Sequence, residues 1–466
     1  VGTRRPATQY IKALHLINGE PLRPQLSHPP YRHCCLRRIT SEELLKPLIL
    51  LRPPSCISYQ ERRVFTTMDH RNCFSYEKEN KSMVVTSWRS QISPQQVEMS
   101  VQRRSGNYPP CQWKDDFILS LKSTQEDKHG SENIEEIKEV VRQLVEASNE
   151  PVAQMELVDS LQRLGVSYHF EKEIKVIMDS IFEDKKESKD LYIAALKFRL
   201  LRQHGYHASP DVFNVFKDEK GRLKNVLSED VKGLLSLYEA SHLGFEGENV
   251  LEEAMTFSTH HLEESTKVLN IDSILARQIT HALELPISRR MLRSEARSYI
   301  DVYEIMPRHQ SDLLILKLAK MDFNNVQSLY QAEIKEMLRW WRGLELAENL
   351  KFSRDRLMEN YVWTIGVNFN PLFSICRKGL TKLNCLITTI DDVYDVHGTI
   401  DELELFTEAV GRWEIGNIDK LPQYMRLCFL ALYNTTNQFA YDFMRDKGPN
   451  ILGYLTRADI GVSKDR

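Results

Sequence analysis

The chain has 466 residues, of which 42% are hydrophobic and 27% are charged, and its formal net charge is −3 at pH 7. This composition is typical of a globular protein long enough for two or three domains. The small net charge argues against a nucleic-acid-binding protein that works by bulk charge, and no apolar run approaches the roughly 18 residues of a membrane span. We therefore expect neither nucleic acid nor a membrane among its partners.

Residues 1–100 differ from the rest of the sequence. They carry 15 Lys and Arg against 8 Asp and Glu, and they mix Pro, Arg, His and Ser without a sustained helical or strand period. We expect a poorly ordered extension here. It is interpreted either as an organelle-targeting segment, which tends to be basic and Ser-rich, or as wrongly joined sequence in a gene model.

From about residue 115 onward the apolar residues recur at helical spacing. In NIEEIKEVVRQLVEA they predict one face of a helix with Asn133 as its cap, and in the next helix a stripe at Leu157, Leu161 and Leu164 ends at Gly165. Alternating strand patterns are almost absent, so the fold class is all-α. The other predicted helices span residues 190–204, 229–242, 248–269, 273–284, 312–339 and 355–369.

Several conspicuous side chains carry no recognisable chemistry. The sequence contains neither G-x-x-x-x-G-K-[ST] nor G-x-G-x-x-G, so nucleotide binding by those motifs is unsupported. Five histidines without metal-ligand spacing are interpreted as surface or core residues, and two tryptophans as packing residues. These residues are His204, His207, His242, His260, His261, Trp340 and Trp341.

The stretch LITTIDDVYDVHG, residues 386–398, places three aspartates on an otherwise apolar helix that Gly398 ends. Asp391 and Asp395 are four residues apart and point the same way, whereas Asp392 is turned by about a quarter circle. Two carboxylates beside an apolar wall are stable in the charged form only with cations. Mg²⁺ fits, because it binds through one or two carboxylates and takes its remaining ligands from water and substrate phosphates. A solvated acidic helix end is the alternative.

A second feature lies upstream, in KFSRDRLMENYVWTIGV. Arg354 and Arg356 would diverge within a helix, so they can converge on one anion only in the turn that enters it, for which Ser353 is a fitting N-cap. Free N–H groups at a helix start and arginine forks both suit phosphate oxygens. A salt-bridged surface turn is the alternative interpretation.

Together these features predict a substrate with an apolar body and a diphosphate head. The chemistry would be ionisation, in which Mg²⁺ and arginines stabilise the charge on the departing diphosphate. The carbocation left behind needs aromatic faces and a dry cavity. Trp363 is the aromatic residue best placed in the sequence, although it could equally be a core residue.

Many segments between residues 101 and 458 resemble plant class I terpene synthases, specifically the monoterpene synthase subfamily. They include RRSGNYPPCQW, LQRLGVSYHFEKEI, FRLLRQHGY, MDFNNVQSLYQAEI, RWWRGLEL, FSRDRLMENYVWTIGV and TTIDDVYDVHGTIDELELFTEAVGRWE. The resemblance implies an N-terminal relict α-barrel domain, similar to glycosyl hydrolases, over residues 101–305. It implies a C-terminal class I helical bundle over residues 306–466, incomplete relative to the family.

The resemblance also implies roles for individual residues. Asp391, Asp392 and Asp395 match the aspartate-rich motif that holds Mg²⁺ or Mn²⁺, with Asp391 and Asp395 as direct ligands. Arg354 and Arg356 match the R-x-R element that guides the diphosphate. The remaining matches are Arg103, Arg104 and Trp113, in the tandem-arginine motif that folds over the active-site mouth; Trp363, a cation-stabilising aromatic; and Asn384, a pocket residue that favours C10 products over isoprene.

The implied reaction is Mg²⁺-dependent ionisation of geranyl diphosphate to a monoterpene and diphosphate, in a monomer located in the plastid or otherwise in the cytoplasm. A sesquiterpene synthase using farnesyl diphosphate and a catalytically inactive remnant are the alternatives. The family's second metal motif, of N/D-D-x-x-S/T-x-x-x-E type, is not found in these residues. We therefore expect a truncated chain with little or no synthase activity and poor solubility.

Overall fold

The computed structural model describes residues 103–121, 131–186, 188–267, 272–306 and 310–456. The extension predicted over residues 1–100 lies outside this part of the chain, and so do residues 457–466. Within the described ranges the secondary structure is helical, apart from one isolated bridge between Lys217 and Leu223. The prediction of an all-α fold is confirmed.

Nine helices precede residue 306 among the described residues. They are α1 (Asp115–Ser120), α2 (Ser131–Ala147), α3 (Pro151–Arg163), α4 (Glu171–Glu183), α5 (Leu191–Gln203), α6 (Val231–Ser241), α7 (Asn249–Ser265), α8 (Ser273–Glu284) and α9 (Leu292–Ile305). Those that follow are α10 (Gln310–Gly343), α11 (Leu346–Asn349), α12 (Leu357–Val367), α13 (Ser374–Asp392), α14 (Ile400–Arg412) and α15 (Gln423–Lys447), with one more helical turn at residues 452–456.

The helix boundaries agree with the predicted spans to within a few residues, with informative differences at the caps. Asn133 is not a cap, because α2 already begins at Ser131. Gly165 does end α3: it adopts a positive φ of 75°, and the N–H of Val166 donates to the carbonyl of Leu161 at 3.0 Å. This is the geometry in which glycine, lacking a Cβ, is favoured.

Two large hydrophobic cores organise most of the described helices, and two smaller clusters accompany them. The first is formed by α2 to α7 together with α9 and the first half of α10, up to Ala319. The second begins at Val326 of α10 and includes α11 to α15. Helix α10 therefore belongs to both cores, and the change from one core to the other falls inside it. The domain boundary between residues 305 and 306 stays a prediction.

The segment before α2 packs against the second core, although it precedes the first core in the sequence. Ile118 of α1 is buried among residues of the second core. Asp115 forms a salt bridge with Arg342 at the end of α10, at 2.7 Å, and Lys335 donates a hydrogen bond to the carbonyl of Leu121. The chain thus passes across the second core before it builds the first.

Two smaller predictions concern tryptophan packing and membrane spans. Trp341 is buried in the second core, as expected of a packing residue, and its indole N–H also donates to Asp355 at 3.0 Å. Among the helices of the described ranges, none combines the length and the apolar composition needed to cross a membrane.

Candidate active site

The three aspartates lie where α13 changes its geometry. The α-helix ends at Asp392 and continues as one π-helical turn, Val393–His397, which Gly398 terminates by donating its N–H to the carbonyl of Val393 at 2.7 Å. The apolar face predicted for this helix is buried at Leu386, Ile390 and Val393. A π turn inserts an extra residue into the helical repeat and is frequent at functional sites.

Glycine is needed at position 398 because of close packing and not because of backbone conformation. Its φ of −70° is open to any residue. A Cβ placed here would lie 2.7 Å from Leu403 Cδ2 and 2.9 Å from the carbonyl oxygen of Val393. The turn after the aspartates is therefore tightly packed against α14.

Asp392 is the buried member of the aspartate trio. Its side chain is fully inaccessible to solvent and accepts hydrogen bonds from the backbone N–H of Arg354 at 2.8 Å and from Arg354 Nε at 3.0 and 3.1 Å. Arg354 Nη2 lies 2.9 Å from the same carboxylate. Asp395, by contrast, is exposed, and Asp391 is half-buried.

The Arg354 side chain is held in the charged form by this contact. Burial would by itself lower the pKa of Arg354, but the hydrogen bonds and the negative charge of Asp392 outweigh it, so the net shift of this pKa is upward. The Asp391 carboxylate acts in the same direction. Arg354 is a permanent cation at the rim of the acidic helix.

Ser353 does not cap the following helix, contrary to the prediction. Helix α12 begins at Leu357 with Arg356 at the N-cap position, and no side chain caps it. The Ser353 hydroxyl instead donates to Asp392 Oδ2 at 3.3 Å. The predicted turn at this helix entry is present, but its polar groups are directed at the neighbouring carboxylate of α13.

The two arginines of this turn do not converge in the structure. Arg356 donates from Nη2 to the carbonyl of Pro109 at 2.7 Å and from Nη1 to the carbonyl of Asp355 at 2.9 Å, and its Nε lies 4.0 Å from Glu359. Arg354 thus faces the acidic helix, while Arg356 contacts a segment about 250 residues earlier in the sequence. The joint role of both arginines on one anion stays a prediction.

That earlier segment, residues 103–113, is called the strap below. Arg103 forms a bidentate pair with Glu402, with Nη1 and Nη2 lying 2.9 and 2.7 Å from the carboxylate oxygens. Its Nη1 also donates to the carbonyl of His397, at the end of the π turn, at 3.0 Å. Its guanidinium lies 5.0 Å from the centre of the Tyr424 ring. The strap is therefore attached beside the aspartates.

Contacts at the start of α14 help to hold Glu402 in the charged form that pairs with Arg103. It closes a capping box with Thr399 at the start of α14, and hydrogen bonds from Arg103, the Thr399 N–H and Tyr424 lower the pKa of Glu402 to about 2 against the opposing effect of burial. The carboxylate is charged at any physiological pH, so the attachment of Arg103 does not depend on pH in that range.

The other predicted site residues occupy varied surroundings. Arg104 is exposed on the strap, and Trp113 is 39% exposed with its ring 5.7 Å from that of Phe117. Asn384 is buried on α13, seven residues before Asp391, and Trp363 is half-buried on α12. The structure brings Arg103, Arg354 and the three aspartates into one region, while the roles of Arg104, Trp113, Trp363 and Asn384 stay predictions.

Three residues of this region were missed by the sequence reasoning: Tyr108, Asp355 and Glu402. The T-x-x-E pattern of Thr399 and Glu402 is a capping-box signature and could have placed Glu402 at a helix start. No local pattern shows that Glu402 meets Arg103, because the two lie 299 residues apart. Tyr108 and Asp355 likewise contact residues that only the tertiary fold brings near.

The donor set at the helix end fits an oxygen-preferring divalent cation that is held mainly by its substrate. Asp395 is exposed, Asp391 is on the same turn, and Asp392 is committed to Arg354. Among the described residues, no group of three or more Asp, Glu, His or Cys side chains forms a ready-made metal cage. Mg²⁺ needs no such cage, since it commonly binds one or two carboxylates and completes its shell with waters and phosphates.

The known proteins to which this chain is similar point to one family. Residues 112–283 match the terpene synthase N-terminal domain, and residues 342–463 match the terpene synthase metal binding domain. An α-thujene synthase of Litsea cubeba is 50% identical over 367 residues, which cover 78% of this chain and 63% of the relative. A myrcene synthase of Quercus ilex is 49% identical over 369 residues, covering 78% of this chain and 61% of the relative.

Solved structures give the same result. Limonene synthase with 2-fluorolinalyl diphosphate is 42% identical, with a TM-score of 0.72, and the match covers 77% of this chain and 67% of that one. Isoprene synthase from grey poplar, in complex with three Mg²⁺ ions and dimethylallyl-S-thiolodiphosphate, is 45% identical with a TM-score of 0.65; the match covers 74% of this chain and 64% of that one. The chain thus spans less than two thirds of the curated relatives named above. With both domains matched in order, the chain belongs to the terpene synthase family.

Proposed function

We propose that the chain acts on geranyl diphosphate, ionising it with Mg²⁺ or Mn²⁺ to give a monoterpene and diphosphate. The single observation that carries the proposal is the pairing of Arg354 with Asp392, beside Asp391 and Asp395 at the end of α13. It places a fixed cation next to carboxylates suited to a metal, which is what a diphosphate requires. The names of the thujene and myrcene synthases support the C10 product class.

In this proposal the aspartates bind the metal ion and Arg354 donates to the diphosphate. Asp391 and Asp395 would hold the metal ion, which when bound supplies positive charge to the diphosphate oxygens. Asp392 fixes Arg354 through Nε and Nη2, and among the described residues no hydrogen bond engages Arg354 Nη1. That remaining N–H edge is the donor available to an anionic ligand, and a preorganised donor stabilises charge as it develops on a leaving group.

The other predicted residues would serve the hydrocarbon part of the substrate. Trp363 would offer an aromatic face to the cation, and Asn384 would form part of the wall on α13. The strap, through Arg103, Arg104 and Trp113, would shield the mouth from water. Because relatives carry the word chloroplastic in their names, we propose a plastid location, and we propose a monomer.

Two alternatives are decided by the same experiment. A sesquiterpene synthase would prefer farnesyl diphosphate, and a non-catalytic prenyl-diphosphate binder would bind without turnover. The purified 466-residue chain is incubated with geranyl or farnesyl diphosphate, with Mg²⁺, Mn²⁺ or EDTA, and volatile products are measured by gas chromatography with mass spectrometry. Binding of Mg²⁺ and inorganic diphosphate is measured in parallel by calorimetry.

We expect metal-dependent binding and, at the low rate predicted from the absence of the second metal motif in these residues, C10 products from geranyl diphosphate. Asp395→Asn should reduce both, whereas Glu404→Gln, an exposed carboxylate on α14, is the matched control and should not. Greater turnover of farnesyl diphosphate would identify the sesquiterpene alternative. Binding without product would identify the non-catalytic binder, and the absence of both binding and product would refute the proposal.

A further inference from the structure

The strap contains a tyrosine whose position no sequence motif explains. The Arg354 guanidinium carbon lies 4.9 Å from the centre of the Tyr108 ring, a distance typical of a cation–π contact. Arg354 is the same arginine that Asp392 fixes by its Nε and Nη2 edge. One face of the guanidinium is therefore covered by the strap, while one edge is held by the acidic helix.

The turn before Tyr108 is built to direct this ring. Asn107 adopts a positive φ of 49°, and its N–H donates to the Ser105 hydroxyl oxygen at 3.2 Å. A Cβ on Gly106 would lie 2.5 Å from Tyr108 Cε2 and Cζ, closer than real Cβ atoms approach other atoms. The ring thus folds back over Gly106, and only a residue without a side chain leaves it the room.

The charges around Tyr108 agree with a location at the site. Burial and the negative charge of Asp392 raise the pKa of Tyr108, and Asp395 acts in the same direction, while Arg354 opposes them. The neighbouring residue, Pro109, accepts a hydrogen bond from Arg356, so consecutive strap residues contact both arginines of the turn.

We propose that Tyr108 is a positioning residue: its ring, placed by the Gly106 turn, covers Arg354 so that the Nη1 edge is directed at an anionic ligand. This inference rests on the proposed diphosphate site and adds a residue to it. It also means that Arg354 is correctly oriented only while the strap is in place. The strap would then bring an aromatic cover to the site in addition to its arginine attachment.

The test uses the full chain and four variants. Tyr108→Ala removes the ring, Tyr108→Phe keeps the ring and removes the hydroxyl, and Gly106→Ala displaces the ring without changing it. The fourth is the double variant of Gly106→Ala and Tyr108→Ala. Tyr441→Ala, an exposed tyrosine on α15, is the control. Two measurements are made: the rate of trypsin cleavage after Arg104, by mass spectrometry, and the affinity for inorganic diphosphate with Mg²⁺, by calorimetry.

We expect Tyr108→Ala and Gly106→Ala each to speed cleavage and weaken diphosphate affinity by about three- to tenfold, and Tyr108→Phe to stay within about twofold of the unchanged chain. The double variant should be no worse than Tyr108→Ala alone, because the added Cβ then meets no ring. Rescue by phenylalanine is the result that a general loss of folding would not give.

Other outcomes are equally decisive. Cleavage and affinity unchanged in Tyr108→Ala would overturn the inference, and so would an effect of Tyr108→Phe as large as that of Tyr108→Ala. If the unchanged chain binds no diphosphate, the proposed function fails. The cleavage rates then test only the contact between Tyr108 and Arg354. Faster cleavage in both Tyr108→Ala and Gly106→Ala supports this contact, and cleavage rates equal to that of the unchanged chain overturn it.

Discussion

Two charged sites in this chain each contain one fully buried carboxylate, Glu295 in one and Asp392 in the other, yet their charges are arranged in opposite ways. Glu295, on α9 in the first half of the chain, is 1% exposed and lies between Arg163 Nε at 2.8 Å and Arg290 Nη1 at 2.5 Å. Burial would raise the pKa of Glu295, but the two arginines reverse this effect and bring the pKa to about 2. At this site two arginines, Arg163 and Arg290, bind one carboxylate.

At the end of α13, by contrast, carboxylates outnumber arginines. Three carboxylates lie within five residues, and the hydrogen bonds of Arg354 go to Asp392. Asp395 is exposed, so its charge is balanced by solvent and ions. A buried charge that is fully paired inside the protein is costly to leave without its partner, whereas a local excess of one sign at an accessible place is suited to binding an ion or ligand of the opposite sign. On this ground Glu295 is interpreted as part of a structural ion pair, while a binding role of the aspartates stays a prediction.

Removing Glu295 should have the largest effect on stability. Glu295→Ala leaves Arg163 and Arg290 in the interior without their shared carboxylate, and we expect a loss of about 3–5 kcal/mol in the free energy of unfolding. The measurement is denaturant unfolding followed by circular dichroism. Glu284→Ala, an exposed carboxylate on α8, is the control, with an expected change within about 0.5 kcal/mol. A loss below about 1 kcal/mol for Glu295→Ala would show that the pair contributes little.

Acid should reveal the same site without mutation. The pKa of Glu295 falls from 4.5 to about 2 on folding, so its contribution is fully present above pH 4.5 and is lost as the pH drops toward 2. The shift corresponds to about 3 kcal/mol. Unfolding free energies measured between pH 6 and pH 3 should decline, and Glu295→Gln should make the decline shallower. An equal slope in the variant would contradict the assignment.

The aspartate site should respond in the reverse manner. Asp395→Asn removes an exposed charge, so we expect the unfolding free energy to change by no more than about 0.5 kcal/mol. Affinity for Mg²⁺ with inorganic diphosphate should fall at least about tenfold, because a carboxylate of the proposed metal site is lost. Calorimetry and denaturant unfolding on the same sample separate the two effects. Asp401→Asn, exposed on α14, is the matched control. A marked loss of stability with unchanged affinity would make Asp395 structural.

The smallest effect is expected at the strap. Glu402→Gln removes the negative charge and turns one of the two accepting oxygens into an NH2 group, so Arg103 keeps one hydrogen bond to this side chain in place of a bidentate ion pair. We expect the local attachment of Arg103 to weaken by about 1 kcal/mol. Hydrogen exchange of peptides covering residues 103–113 should become several times faster, while that of α4 and α5 stays the same. Unchanged protection of the strap would mean that its other contacts suffice to hold it.

How much of this was open to prediction depended on whether the signal was local. The apolar stripe from Ile134 to Val145 predicted α2 because a helix repeats its buried face every few residues, and Gly165 predicted an end because a positive φ favours glycine. The aspartate trio and Arg354 were also singled out from local patterns, because like charges beside an apolar face need an unusual explanation. The structure places Arg354 against Asp392, while the roles of these residues toward a metal ion and a diphosphate stay predictions.

The failures have a common physical cause. Ser353 has the side chain of a helix cap, but the buried Asp392 carboxylate competes for its hydroxyl, and the competitor lies 39 residues away. The π turn leaves no mark in the composition of LITTIDDVYDVHG. Glu402 and Tyr108 acquire their roles only when the strap crosses the second core. Contacts between distant segments set these features, and a single sequence does not encode them in any short pattern.

Helix α10 couples the stability of the two cores. Its 34 residues span about 50 Å, and its two halves are buried in different cores. Unfolding either core would strip one half of a continuous helix of its neighbours, so the free-energy cost of disorder at one end is transmitted to the other. The two cores should therefore melt as one cooperative unit.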